Sequence, residues 1–178
     1  MRGIVIAALL ATACGAPARP PASASVSPSA PGPSELRFTD AQSGGVFFAV
    51  LADGTLRVGK QDLGHLTTTP AILFTFAPAY HGATARLTAD GHVVLEAPPA
   101  ALATLPGDLG KLLRDYDGKV SSAYVIDADA RATAPHASPL TFDDAGHLTG
   151  TSLSVPGLAA PDRRAAMFVY VLLSMIIA

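Results

Sequence analysis

Residues 46–58 read VFFAVLADGTLRV: an apolar run, the pair Asp53-Gly54, and a second run with alternating apolar positions. Asp-Gly accepts positive φ at both central positions of a tight turn, so two apolar runs joined by it form a β-hairpin. Val46 to Leu51 and Thr55 to Val58 are therefore expected to pair. The same chemistry recurs at Ala89-Asp90-Gly91, at Tyr116-Asp117-Gly118 and at Asp144-Ala145-Gly146. Ala85 to Thr88 with His92 to Leu95 gives a second expected pair, and Leu140 to Phe142 with His147 to Thr149 a third. Ala71 to Phe76, and the residues around Tyr124-Val125-Ile126, carry further strand character. The turns are unevenly spaced, which indicates recurrent hairpins rather than a strict repeat. The chain is also too short for a propeller of four or more blades.

Two segments break the strand pattern. Between Pro98 and Tyr116, Leu102, Leu105, Leu109, Leu112 and Leu113 stand at helical spacing, and Pro106-Gly107 should divide the segment into two short helices. At the end, Asp162 is positioned as an N-cap before Arg163, Arg164 and the run AAMFVYVLLSMIIA. A helix that is apolar on every side is buried in protein or in lipid. At about 1.5 Å per residue this one is shorter than the roughly 30 Å core of a bilayer. Three readings stay open for it: a helix packed on the sheet, a short membrane segment, and a buried strand. The expected fold class is α+β, a β-rich antiparallel sheet of hairpins with short helices and an apolar C-terminal helix packed on it.

Composition sets the outer bounds. The 178 residues suffice for one domain, and 49% of them are hydrophobic, too many for a chain disordered throughout. A net charge of −2 gives no basic surface to neutralise phosphates, so nucleic acid is excluded as an expected partner. A single cysteine excludes a disulfide framework and a structural zinc module.

That cysteine is Cys14, and it closes a leader with Arg2 at its front and the apolar run Ile4 to Ala11. Such a run has the length of a secretory signal core, not of a membrane span. Leu10-Ala11-Thr12-Ala13-Cys14 resembles the lipobox of bacterial lipoprotein precursors. The usual leucine three places before the cysteine is Ala11 here, with Leu10 one place early. The resemblance covers the leader only and implies that residues 1–13 are a signal peptide. It also implies a diacylglyceryl group on the Cys14 thiol, acylation (palmitate) of the new amino terminus, and anchoring in the membrane of the cell envelope. In a host with two membranes, Gly15 rather than Asp after the cysteine implies the outer membrane. An ordinary signal peptide in which Cys14 is merely a small apolar residue is the alternative. Residues 14–34 then read as the lipidated cysteine and a tether of Pro, Ala, Ser and Gly, too polar and proline-rich to fold. Residues 35–178 are the expected single globular domain.

No catalytic motif stands out. The sequence lacks GxSxG, a Walker loop, HExxH and a dinucleotide fingerprint. His65, His81, His92, His136 and His147 show no ligand spacing, although His92 and His147 each follow a turn glycine. Asp115 and Asp117 precede Gly118, but a calcium loop in that register would begin at Leu113 and end at Tyr124, so it fails. Asp127 and Asp129 share one face of an extended segment, a weak hint of a cation. Ser121-Ser122 has no base nearby in sequence. Phe47, Phe48, Phe74 and Phe76 are assigned to the core. Tyr80 and His81, between Pro78 and Gly82, are the best candidates for a ligand edge. No catalytic residue, metal or cofactor is therefore assigned, and lipidation at Cys14 is the one assigned site. The leading functional expectation is a lipid-anchored, non-catalytic interaction or structural module with an envelope protein partner. A small-ligand or lipid carrier using a sheet pocket, and a hydrolase with a non-local site, are the alternatives.

Overall fold

Leu36 and Phe38 are buried while Arg37 between them is exposed, and Phe74 and Phe76 are buried while Leu73 and Thr75 face out. This period of two is what a sheet with one covered face demands. The computed structural model describes residues 34–177. The proposed signal peptide, Cys14 and all but the last residue of the tether lie outside the described residues.

Ten strands follow one another: β1 (Leu36–Asp40), β2 (Val46–Val50), β3 (Thr55–Val58), β4 (Gln61–Thr67), β5 (Leu73–Phe76), β6 (Thr84–Leu87), β7 (His92–Glu96), β8 (Lys119–Ile126), β9 (Ala132–Thr133) and β10 (Leu153–Ser154). They form one antiparallel sheet in which each strand from β1 to β9 pairs with the next, and β10 pairs with β1. The gap between β9 and β10 is filled by single bridges. Ala132 pairs with Leu140, Phe142 with Leu148, and His147 with Ser154. Pairing thus runs from β10 through β1 and on to β9, then through residues 140–142 and 147–148 back to β10. The sheet closes on itself, which removes the exposed edges that invite aggregation.

The expected hairpins at Asp53-Gly54, Asp90-Gly91 and Gly146 are present as β2–β3, β6–β7 and the Phe142–Leu148 bridge. Asp117-Gly118 is a correction. It does not join two strands but ends helix α1 (Gly107–Asp115) and leads into β8. Its φ values, 52° and 84°, are those of a turn, but the residues before it are helical. Of the two helices expected between Pro98 and Tyr116, the first is only a 3₁₀ turn, Pro99–Ala101. A fourth turn, closing β8–β9, has the same form as the hairpin turns with Ala130 at φ 63° in the glycine place.

Helix α2 (Arg163–Ile177) is the apolar C-terminal run, and it packs against β7, β8 and α1. Ala165, Ala166, Met167, Phe168 and Val169 are each at most 4% exposed. Five consecutive residues at about 100° per step cover every side of a helix. The helix is therefore enclosed, and it joins the inward side chains of β1 to β8 in one core. Asp162 does not begin it as a cap but ends the 3₁₀ turn Ala160–Asp162 that leads in. Among the described residues no helix is long and apolar enough to cross a membrane.

Candidate functional site

Antiparallel order places alternate connections at opposite ends of the ring. Ser34, the turns at 51–54, 88–91, 127–130 and 143–146, and the first residues of α2 share one end, called the entry end here. The loop at 77–83, α1 and the last turn of α2 lie at the far end. With α2 filling the interior, two cavities among the described residues lie at its ends.

The far-end cavity is about 460 Å³, lined by Val58, Leu63, Phe76, Tyr80, Leu173 and Ile176 among others. Tyr80 comes from the 3₁₀ turn Pro78–Tyr80, and its ring lies 5.5 Å from that of Phe76. Its hydroxyl accepts a hydrogen bond from Gln61 Nε2 at 3.0 Å. Asp108, in the first turn of α1, stands on the same wall. Tyr80, one of the two residues expected at a ligand edge, therefore lines a cavity. His81 follows it in the left-handed conformation and is not among the lining residues.

The entry-end cavity is larger, about 820 Å³. Its wall includes Ser34, Thr69, Ile72, Leu87, Asp162 and Arg164. Sequence reasoning missed it, because the wall is assembled from Ser34, the β4–β5 and β6–β7 turns and the start of α2. The one available signal was a pair of arginines, Arg163 and Arg164, opening a helix whose first turn favours acids.

The histidines are distributed, not gathered. The His65 ring holds the carbonyl of Asp53 across the β3–β4 pair. His92 Nδ1 is 3.1 Å from the Ser122 carbonyl, and His147 Nδ1 is 3.0 Å from Asp143 Oδ2. Each ring thus contacts a group of the turn or strand beside it. His136 lies in the loop after β9, with φ 63°. Among the described residues no three of His, Cys, Asp and Glu stand together as a metal site. Asp127 turns its carboxylate to the amides of Asp129 and Arg131, both at 2.9 Å, and thereby fixes its own turn. Asp115 and Asp117 lie at the end of α1. Ser122 is buried, with Oγ donating to the Tyr124 carbonyl at 2.6 Å and accepting from the Val93 amide at 3.1 Å. Ser154 is the cross-strand neighbour of His147, but its hydroxyl bonds Thr39 Oγ1 at 2.9 Å.

Of the four phenylalanines assigned to the core, Phe48, Phe74 and Phe76 are there and Phe47 is not. Phe48 stacks on Phe38 with centroids 4.2 Å apart. The strand period then turns Phe47 outward, 52% exposed.

Turn carboxylates carry the electrostatics. The His147 amide, and then its ring, hold the Asp143 carboxyl below its ordinary value of 3.8. The Thr55 amide does the same for Asp53, the amides of Ser43 and Gln42 for Asp40, and the Arg57 guanidinium for Asp62. A carboxyl with a folded pKa below its unfolded one stabilises the fold above the unfolded value, and that stability is lost as pH falls through the folded value. The melting temperature is therefore expected to be level near neutrality and to fall as pH drops from about 5 to about 2. Calorimetry across that range checks it, and Asp143→Asn should flatten the slope. A melting temperature that rises on acidification would contradict the assignment.

Comparison of the chain with family models, with curated protein sequences and with solved structures finds no match.

Proposed function

We propose that this chain is a lipid-anchored, non-catalytic binding module of the cell envelope, tethered through Cys14 and engaging an envelope partner with its folded part. The observation that carries the anchoring is that the chain's one cysteine falls where the apolar leader ends. The binding half is supported by the packed interior: with α2 enclosed by the sheet, the fold offers surfaces and end cavities instead of a bore. The carrier reading is the second choice, favoured by the ligand-sized end cavities, and native mass spectrometry of co-purified ligand addresses it.

Intact mass and detergent partitioning of the chain from its host, beside Cys14→Ser, test the anchoring. The expected result is a wild type heavier by diacylglyceryl and acyl groups that enters the detergent phase, and a mutant that enters the aqueous phase. An unmodified wild type, or a mutant that partitions with detergent equally well, overturns the anchor.

A further inference from the structure

The entry-end cavity carries a cation that makes no ion pair among the described residues. Arg164 is on its wall, and the Nε of that guanidinium is shielded from solvent without a hydrogen-bond acceptor. None of the ion pairs among the described residues includes Arg164. The neighbouring arginine behaves differently. Arg163 also has a shielded, unsatisfied Nε, but its Nη2 reaches Asp144 Oδ1 at 3.2 Å, and it is not part of the cavity wall.

The shielded Nε is out of reach of a ligand oxygen, so it is the outer N–H groups of the Arg164 guanidinium, which no ion pair among the described residues engages, that would meet an acceptor. Guanidinium also presents a planar fork that fits the two oxygens of a carboxylate or phosphodiester. The rest of the wall fits the remainder of such a molecule. Thr68 and Thr69 bring hydroxyls from the β4–β5 turn, while Pro70, Ile72 and Leu87 form an apolar surface. Asp162 is the one carboxylate on the wall, and it disfavours a doubly charged head by repulsion. At about 820 Å³ the cavity lies within the range of small-molecule sites.

We propose that the entry-end cavity binds a small amphiphile with a monoanionic head, the head on the Arg164 guanidinium and a short apolar tail along Ile72 and Leu87. The site goes beyond the binding module proposed above and does not depend on the anchor at Cys14.

The test uses the full chain carrying Cys14→Ser, so that its own lipid plays no part. Decanoate below its micellar concentration is titrated by calorimetry, with decanol and decyltrimethylammonium as comparators. A second arm measures co-sedimentation with vesicles of phosphatidylglycerol, whose head is a monoanionic phosphodiester. Saturable binding of decanoate alone identifies a free acid as the source of the head, and binding to vesicles identifies a lipid head group. In either arm Arg164→Gln is expected to weaken binding roughly tenfold or more, while Arg163→Gln leaves it unchanged. Ala71→Phe, which narrows the cavity without touching the charge, is expected to weaken it as well. Arg164→Gln should keep or raise the melting temperature, because it removes a cation from the first turn of α2. A purely structural arginine would lower it. No saturable binding in either arm, or binding indifferent to Arg164→Gln, overturns the proposal.

Discussion

Gly146→Ala is expected to lower the unfolding free energy by about 3 kcal/mol, well beyond the roughly 1–2 kcal/mol of a left-handed backbone alone. Gly146 has φ 82°, and a Cβ added there would overlap the carbonyl oxygen of Val155. That overlap follows from how the turn is used. The Gly146 amide donates to the Asp143 carbonyl at 3.1 Å and closes the turn, while its own carbonyl accepts from the Val155 amide at 2.8 Å. The glycine is therefore pressed against the neighbouring chain by the bond it makes. Gly54 and Gly91 repeat the arrangement, with carbonyls accepting from Leu66 and Ile126, each at 2.8 Å. Gly59 supplies the comparison. Its φ is 59°, but nothing lies within 4 Å of the position a Cβ would take. Gly59→Ala should therefore cost only about 1 kcal/mol, the backbone term alone. Urea unfolding of the two variants separates backbone preference from steric overlap. Equal losses at Gly146 and Gly59 would mean that the close approach contributes nothing.

The same turns mark how far the sequence could be read. Asp-Gly between apolar runs located the β2–β3 and β6–β7 hairpins, because turn chemistry and strand period are both local. It misread Asp117-Gly118, where a turn of suitable φ follows a helix. β4, Gln61–Thr67, was missed for a physical reason: only Leu66 is fully buried, and Gly64 interrupts the alternation. Gly64 is present because the backbone of Thr75 and Phe76 leaves no room for a side chain, a constraint that exists only after β5 has paired. β9 and β10 are two residues each, too short for any period. Closure was illegible for a different reason. It depends on Thr39 meeting Ser154, residues 115 apart, and no local pattern encodes that pairing. That Tyr80 stands in a loop was legible because Pro78 and Gly82 flag it, and the structure adds that the loop borders the far-end cavity. The entry-end cavity was not legible, because its wall is drawn from four separated segments.

Closure also decides what the C-terminal run does, and Phe168→Ala should expose this most clearly. Phe168 is fully buried in α2, within the core that includes inward side chains of β1 to β8. Truncating a buried phenylalanine costs roughly 3–5 kcal/mol, and the value depends on how far the surroundings can move into the space. In an open sheet, strands can lean inward to reduce the cavity. In a closed one, each strand is hydrogen-bonded on both sides, and the diameter is tied to strand number and tilt. The ring cannot contract around one missing side chain, so the loss is expected at the upper end, about 4–5 kcal/mol. Ile177, on the same helix, is 69% exposed, and Ile177→Ala should change stability by less than about 0.5 kcal/mol. Denaturant unfolding of both variants in water, without detergent or lipid, measures the difference. A loss below about 1 kcal/mol for Phe168→Ala would mean that the ring does not depend on α2 for its filling. A loss near the upper value means that the long apolar run at residues 165–178 is the core around which the sheet closes.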